Sequence, residues 1–270
     1  NPQKGEIDIV SKKDDLIVDI GSNDGVMLTY IPKFLQRIGV EPAKNIKWSN
    51  LDKSIKIIND YFSMEAVLRI TKGSKAKAVT ATAVFYDLND PNSVAKDIKE
   101  ILAPDGVCLI QVSYLYVTVR DANFYDICHE HLEYYSLKSL NYLMEKNGLF
   151  IFDASVNDTN GGSLRIFVTH ANNKRIRSPN IDKIYAMEEA MRLDKAISYK
   201  RFRKRMRYLS AWLKKFLQNE IERGGLVIGL GASTKGNVVI QMCGIDNKIL
   251  PCIGDRNKSK VGFRTLGTNI

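Results

Sequence analysis

The sequence contains no apolar run approaching the ~20 residues that a membrane-spanning helix needs, which argues against an integral helical membrane protein. Cysteine is scarce: Cys108, Cys128, Cys243 and Cys252 in 270 residues. No two of them form a Cys-x-x-Cys pair. That argues against a disulfide framework and against a cysteine zinc site, and fits a reducing compartment, with the cytoplasm expected. The opening residues, Asn1-Pro2-Gln3-Lys4-Gly5, have no signal-peptide character. There is no initiating methionine, and the final residues break off inside a strand–helix pattern, so a fragment or an incompletely ordered protein is expected. Internal repeats and low-complexity segments are absent.

What is present is ordinary in amount: 44% apolar and 26% charged residues, as in globular proteins of one large domain or two smaller ones. The net charge of +10 is local. Fourteen Lys/Arg face four Asp/Glu between Lys174 and Lys215, which leaves 26 of each sign elsewhere. The basicity thus belongs to one segment.

Along the chain, Leu16–Ile20 reads as a buried strand ending at a glycine loop. A helix is expected over Val26–Gly39, with a short strand from Ile38 to Glu41 at its end. Leu51–Asn59 reads as a helix, Tyr61-Phe62 as a short strand and Val79–Phe85 as a buried strand. A helix over Pro91–Leu102 has proline in its first turn. Pro104-Asp105-Gly106 reads as a turn, and Val107–Val112 as a strand. After a long loop, Ser136–Asn147 has amphipathic helical spacing with Gly148 as its stop. Leu149–Ala154 and Ser163–Thr169 read as an edge hairpin. The alternation predicts an α/β protein with five parallel strands and a hairpin, seven in all. Ile184–Arg223, free of glycine and proline, reads as one long helix or two. Its packing stripe is expected to be Tyr199, Phe202, Tyr208 and Trp212. Leu226–Gly231, Lys235–Cys243 and Ile249–Ile253 then form a second, partial strand–glycine–helix unit. The expected domains are 1–172, a basic helical linker 173–223, and 224–270.

Asp19-Ile20-Gly21-Ser22-Asn23-Asp24-Gly25 joins the first strand to the first helix, where open α/β sheets bind ligands. Glycine lets the backbone turn and approach a ligand. Glu41, ending the second strand, is placed to hold ribose hydroxyls. The spacing is G-x-x-x-G, not the G-x-G-x-x-G of a dinucleotide site. Asp19 and Asp24 would repel a pyrophosphate but tolerate the cationic sulfonium and amine of S-adenosylmethionine. Two of the three histidines fall in Cys128-His129-Glu130-His131, within the long loop. A histidine beside a carboxylate suits proton abstraction near neutrality. Metal binding by Cys128, His129 and His131, and a structural role, stand as alternatives; no metal is expected.

Asp126-Ile127-Cys128-His129-Glu130-His131-Leu132-Glu133-Tyr134-Tyr135-Ser136, then Gly161-Gly162-Ser163-Leu164-Arg165, resembles the nucleotide-sugar C-methyltransferase family. The family pattern is a [YC]-H-E-H loop, a helix, then H-G-G-S-[LI]-R. Asp19–Gly25 and the later Gly231-Ala232-Ser233-Thr234-Lys235-Gly236-Asn237 with Asp255-Arg256-Asn257 also match. The resemblance implies a class I methyltransferase sheet followed by a Rossmann-like unit. It implies S-adenosylmethionine held by Asp19, Gly21, Ser22, Asn23, Gly25, Glu41 and Thr82, and His131 as base with Glu130 and His129 beside it. It further implies a nucleotide-sugar substrate contacted by Tyr114, Cys128, Gly161, Gly162, Arg165 and Lys235. The chain departs from the family at Cys128, where many members have tyrosine, and at Asn160, where the pattern has histidine. Ala81–Asp87 lacks a histidine that many members carry, and no cysteine-rich zinc segment is present.

O-methylation of a sugar or small metabolite is an alternative on the same scaffold. A non-catalytic protein binding an anionic partner through Arg201, Arg203, Lys204, Arg205 and Arg207 is another. Nucleic acid is not expected as a partner, because no RNA-binding aromatic motif accompanies the charge.

Overall fold

Leu16–Ile20 forms β1, with all five side chains buried, as a strand flanked on both sides by parallel neighbours must be. The computed structural model describes residues 12–270; the opening residues Asn1–Gly5 therefore lie outside the described residues. α1 (Val26–Thr29) follows β1, then β2 (Gln36–Val40) and β3 (Ile55–Ile58). Next come α2 (Met64–Thr71), β4 (Ala76–Thr82), α3 (Pro91–Ile101) and β5 (Leu102–Ser113). After α4 (Leu115–Asp121) come α5 (Leu137–Lys146), β6 (Leu149–Asn157) and β7 (Ser163–His170). The seven strands make one sheet in the order β3-β2-β1-β4-β5-β7-β6. β3, β2, β1, β4 and β5 are parallel, and β7 runs antiparallel between β5 and β6. This is the seven-stranded α/β sheet expected above, with its edge hairpin.

α5 shows why the local readings succeed. Ser136 accepts from the Ser139 backbone N–H (3.1 Å), and the Ser139 hydroxyl accepts from Ser136 N–H (3.0 Å), a reciprocal capping box. Leu137, Leu140, Leu143 and Met144 form the buried face. Gly148 stops the helix at φ +74°, which favours glycine.

Five expectations are corrected. The helix expected over Val26–Gly39 lasts one turn, because Pro32 removes an N–H and disfavours helical geometry at Ile31; β2 then begins at Gln36. Leu51–Asn59 is not a helix but carries β3, where Ile55, Ile57 and Ile58 favour a pleated strand. Tyr61-Phe62 is loop, and α2 follows it. Pro104-Asp105-Gly106 lies within β5, at a shift of register against β4. β4 ends at Thr82, before Phe85, with Ala83 at φ +58°.

The chain forms two compact units. One comprises residues up to Tyr114 together with Leu132–Ala190; the other comprises Leu115–His131 and Met191–Ile270. α6 (Pro179–Met191) precedes α7 (Ala196–Glu222). The helical stretch is broken at Arg192 (φ +56°), where Ser198 donates to the Met191 carbonyl at 2.6 Å. In the second unit β8 (Gly229–Leu230) and β9 (Ile253–Gly254) pair in parallel around α8 (Thr234–Met242). Its core gathers Phe124, Ile240, Cys243, Ile245, Ile249 and Leu250, with Phe202, Met206, Leu213 and Leu217 of α7 packed on it. Phe124 thus anchors the 115–131 segment in this unit. The expected stripe on α7 holds only in part. Phe202 packs inward, whereas Tyr208 and Trp212 are exposed and Trp212 stacks on Phe216 at 5.5 Å. Among the described residues no helix is long and apolar enough to cross a membrane.

Candidate functional site

The carboxyl edge of the large sheet carries the first glycine loop. Gly21 and Ser22 both donate to the Val40 carbonyl (2.9 and 3.1 Å), and Gly25 N–H donates to Ser22 O (2.8 Å). Gly21 and Gly25 sit at φ +69° and +77°. A Cβ at Gly25 would lie 2.9 Å from Leu51, and one at Gly21 would lie 3.0 Å from Val84. The loop therefore requires glycine on both grounds. Asn23, also at positive φ, donates its N–H to Glu41 Oε2 at 2.9 Å. Glu41 Oε1 accepts from Ala43 N–H at 2.9 Å, and the Trp48 indole donates to the Asn23 carbonyl at 2.9 Å. Glu41 is thus fixed at the end of β2 while each oxygen keeps a further lone pair.

Asp19, next to the last residue of β1, is only 5% exposed and accepts from Thr80 Oγ1 at 2.6 Å. Burial pushes its carboxyl up to about 6, the Thr80 hydrogen bond opposes that, and Glu41 adds to it. Ser22 turns its hydroxyl into the interior. A Cβ on Gly39 would lie 2.5 Å from it, so Ser22 shapes the loop. Thr82 is exposed at the end of β4.

On the same edge, Gly161 and Gly162 (φ +87° and +125°) turn the chain into β7. Arg165 donates to Gln111 Oε1 at 3.1 Å, as does Asn157 at 3.2 Å. Tyr114 does not face outward as a substrate residue would. It is fully buried, its N–H meets the Gly162 carbonyl (3.2 Å), and its hydroxyl donates to Glu188 (2.9 Å). Glu188, itself buried, also receives Leu137 N–H (2.5 Å) and Lys138 N–H (3.2 Å) at the start of α5, where the helix dipole favours an anion.

The second unit holds Cys128, His129, Glu130, His131 and Lys235. A 3-10 turn at Phe124–Asp126 leads into the motif. Cys128 N–H donates to the Asp126 carbonyl (3.1 Å), and His131 N–H to the Cys128 carbonyl (3.2 Å). His129 and Glu130 are exposed, while Cys128 and His131 are half-buried. Burial holds the His131 imidazole below its usual value. Asp126 is the foremost charge opposing that, Lys235 reinforces it, and Glu130 exerts the weakest pull. Lys235, on the first turn of α8, places Nζ 2.5 Å from Asp126 Oδ1. Sequence reading missed a role for Asp126; an acid five residues ahead of the histidine was the available signal. A cavity of about 800 Å³ opens beside the second glycine loop, lined by Ala232, Asp255, Lys260, Phe263 and Arg264 among others. Asp255 accepts from Ala232 N–H there at 2.9 Å. Among the described residues no three His, Cys, Asp or Glu side chains cluster as metal ligands would.

Comparison with known proteins gives two family matches. A methyltransferase domain matches residues 8–152, and a C-methyltransferase C-terminal domain matches residues 158–270. The C-methyltransferase NovU of Streptomyces niveus is 30% identical over 258 residues, which is 95% of this chain and 61% of NovU. The chain thus spans less than two thirds of that relative's length. Among solved structures, similarity extends to a chain of the complex between the Trm112 methyltransferase activator and a methyltransferase of Haloferax volcanii. That match has a TM-score of 0.48 at 15% identity and covers 60% of this chain and 84% of that one. PKMT2 of Rickettsia typhi, solved with AdoHcy, gives a TM-score of 0.46 at 12% identity, covering 62% of this chain and 51% of that one.

Proposed function

The chain belongs to the methyltransferase domain family, and we propose that it transfers a methyl group from S-adenosylmethionine to a carbon of a keto-sugar carried on a nucleotide. One observation carries the donor reading: two buried carboxylates, Asp19 and Glu41, flank a positive-φ glycine loop at the ends of adjacent parallel strands. Such a site favours a ligand with cationic groups and ribose hydroxyls over a diphosphate. The residues fit the donor: each Glu41 oxygen has a lone pair left for hydroxyls, and Gly21 and Gly25 hold the loop in its positive-φ turn.

When bound, S-adenosylmethionine supplies an electrophilic methyl group. A sugar carbon can accept it only after losing a proton from the position beside a ketone. His131 takes that proton, with Glu130 assisting. Its imidazole is held below its usual value, so the neutral, basic form prevails at neutral pH. General-base help of this kind is worth roughly 10²–10⁴-fold. The match of residues 158–270 and the kinship with NovU support carbon as the acceptor. The nucleotide falls to the second unit, whose cavity is within the ~300–1,000 Å³ usual for such ligands.

Calorimetric titration with S-adenosylhomocysteine tests the donor site. Micromolar binding that weakens in Gly21→Val and Glu41→Ala is expected; a folded chain that does not bind would overturn the reading.

A further inference from the structure

We propose that Lys235 and Asp126 act as a positioning pair for His131: their ion pair pins the turn that bears the base to the first turn of α8 and balances the charge that its imidazole faces. The inference rests on the reading of His131 as the base and adds two residues to it.

Asp126 is 3% exposed, and a carboxylate that is out of water needs a partner. Lys235 supplies one at 2.5 Å, with Thr118 Oγ1 at the limit of a hydrogen bond to the other oxygen, 3.5 Å. The ammonium also lies 5.5 Å from the centre of the Tyr125 ring, a cation–π arrangement that fixes its direction. A lysine in the first turn of a helix sits at the positive end of the dipole, and Asp126 offsets that cost. The pair joins two stretches of chain more than a hundred residues apart, the His-Glu-His motif and the second glycine loop.

The turn passes the constraint to the base. Asp126 O accepts from Cys128 N–H, and Cys128 O accepts from His131 N–H. The charged groups facing the imidazole are Asp126 from the 3-10 turn, Lys235 from α8 and Glu130 from its own loop, in decreasing order of influence. Asp126 favours the imidazolium and Lys235 disfavours it. The two ends of one ion pair therefore act on His131 with opposite signs. Lys235, by the same geometry, is committed to Asp126 and is not held out toward a phosphate.

The test is NMR titration of the His131 ring in the full 270-residue chain, with the signal assigned by His131→Gln. Lys235→Met is expected to raise the His131 titration midpoint and Asp126→Asn to lower it, with Lys235→Arg close to wild type. S-adenosylhomocysteine affinity serves as the check that the first unit is intact. Midpoints that stay put, or that move in the same direction in both variants, would overturn the pairing. Should Asp126→Asn not fold, Lys235→Met decides alone, because an unshifted midpoint there is equally fatal. The acid limb of kcat/KM for methyl transfer is expected to follow the titration. Opposite NMR shifts without any movement of that limb would leave the pair standing and remove His131 as the base, so the two failures are distinguishable.

Discussion

Thr80 donates its hydroxyl to the Asp19 carboxylate at 2.6 Å, across neighbouring strands β4 and β1. This bond does not offset the burial of Asp19, whose carboxyl stays up at about 6. A cationic donor beside Asp19 favours the charged form, so binding expels a proton wherever the free carboxyl is protonated. Affinity for S-adenosylmethionine is therefore expected to be flat above pH about 6 and to fall below it, by at most about tenfold per pH unit. Asp19→Asn should flatten the profile. For folding the sign is the reverse: a raised carboxyl means that the free protein loses stability as pH rises from about 4 to about 6. Titrations at several pH values check the first claim and thermal melts the second.

Gly25 combines φ +77° with a neighbour 2.9 Å from any Cβ, whereas Gly73, at φ +87°, has nothing within 4 Å. Gly25→Val is expected to destabilise by about 1–3 kcal/mol and to weaken donor binding. Gly73→Ala should cost about 1 kcal/mol and leave donor affinity unchanged. Urea denaturation with parallel calorimetry separates strain from steric loss.

Glu188 gathers the Tyr114 hydroxyl and two backbone N–H groups of α5. Glu188→Ala leaves these buried donors unsatisfied, with an expected loss on the order of 3 kcal/mol. Tyr114→Phe should cost about 1 kcal/mol without altering donor affinity. A large effect of Tyr114→Phe on substrate KM, with unchanged stability, would contradict the structural role given to Tyr114.

The parts of this protein that were legible in sequence are those governed by near neighbours. β1 with its glycine loop, α3 with its N-terminal proline, and α5 between Ser136 and Gly148 follow from local spacing and capping. Between Val26 and Phe62 only the strand that ends at Val40 is legible. There a single proline outweighs amphipathic spacing, and three isoleucines within four residues outweigh an apparent helical pattern. Glu188 and Lys235 were illegible as partners. Each meets an acceptor or donor supplied by a distant segment, Tyr114 in one case and Asp126 in the other, and neither local propensity nor motif spacing carries that information.

The most direct test of the account is methyl transfer itself. The chain is incubated with S-adenosylmethionine carrying an isotope-labelled methyl group and a panel of nucleotide-linked keto-sugars, and the product is read by NMR. The account predicts a label bonded to a sugar carbon beside the ketone, lost in His131→Ala while S-adenosylhomocysteine still binds. A label on oxygen, or full turnover in His131→Ala, would contradict it.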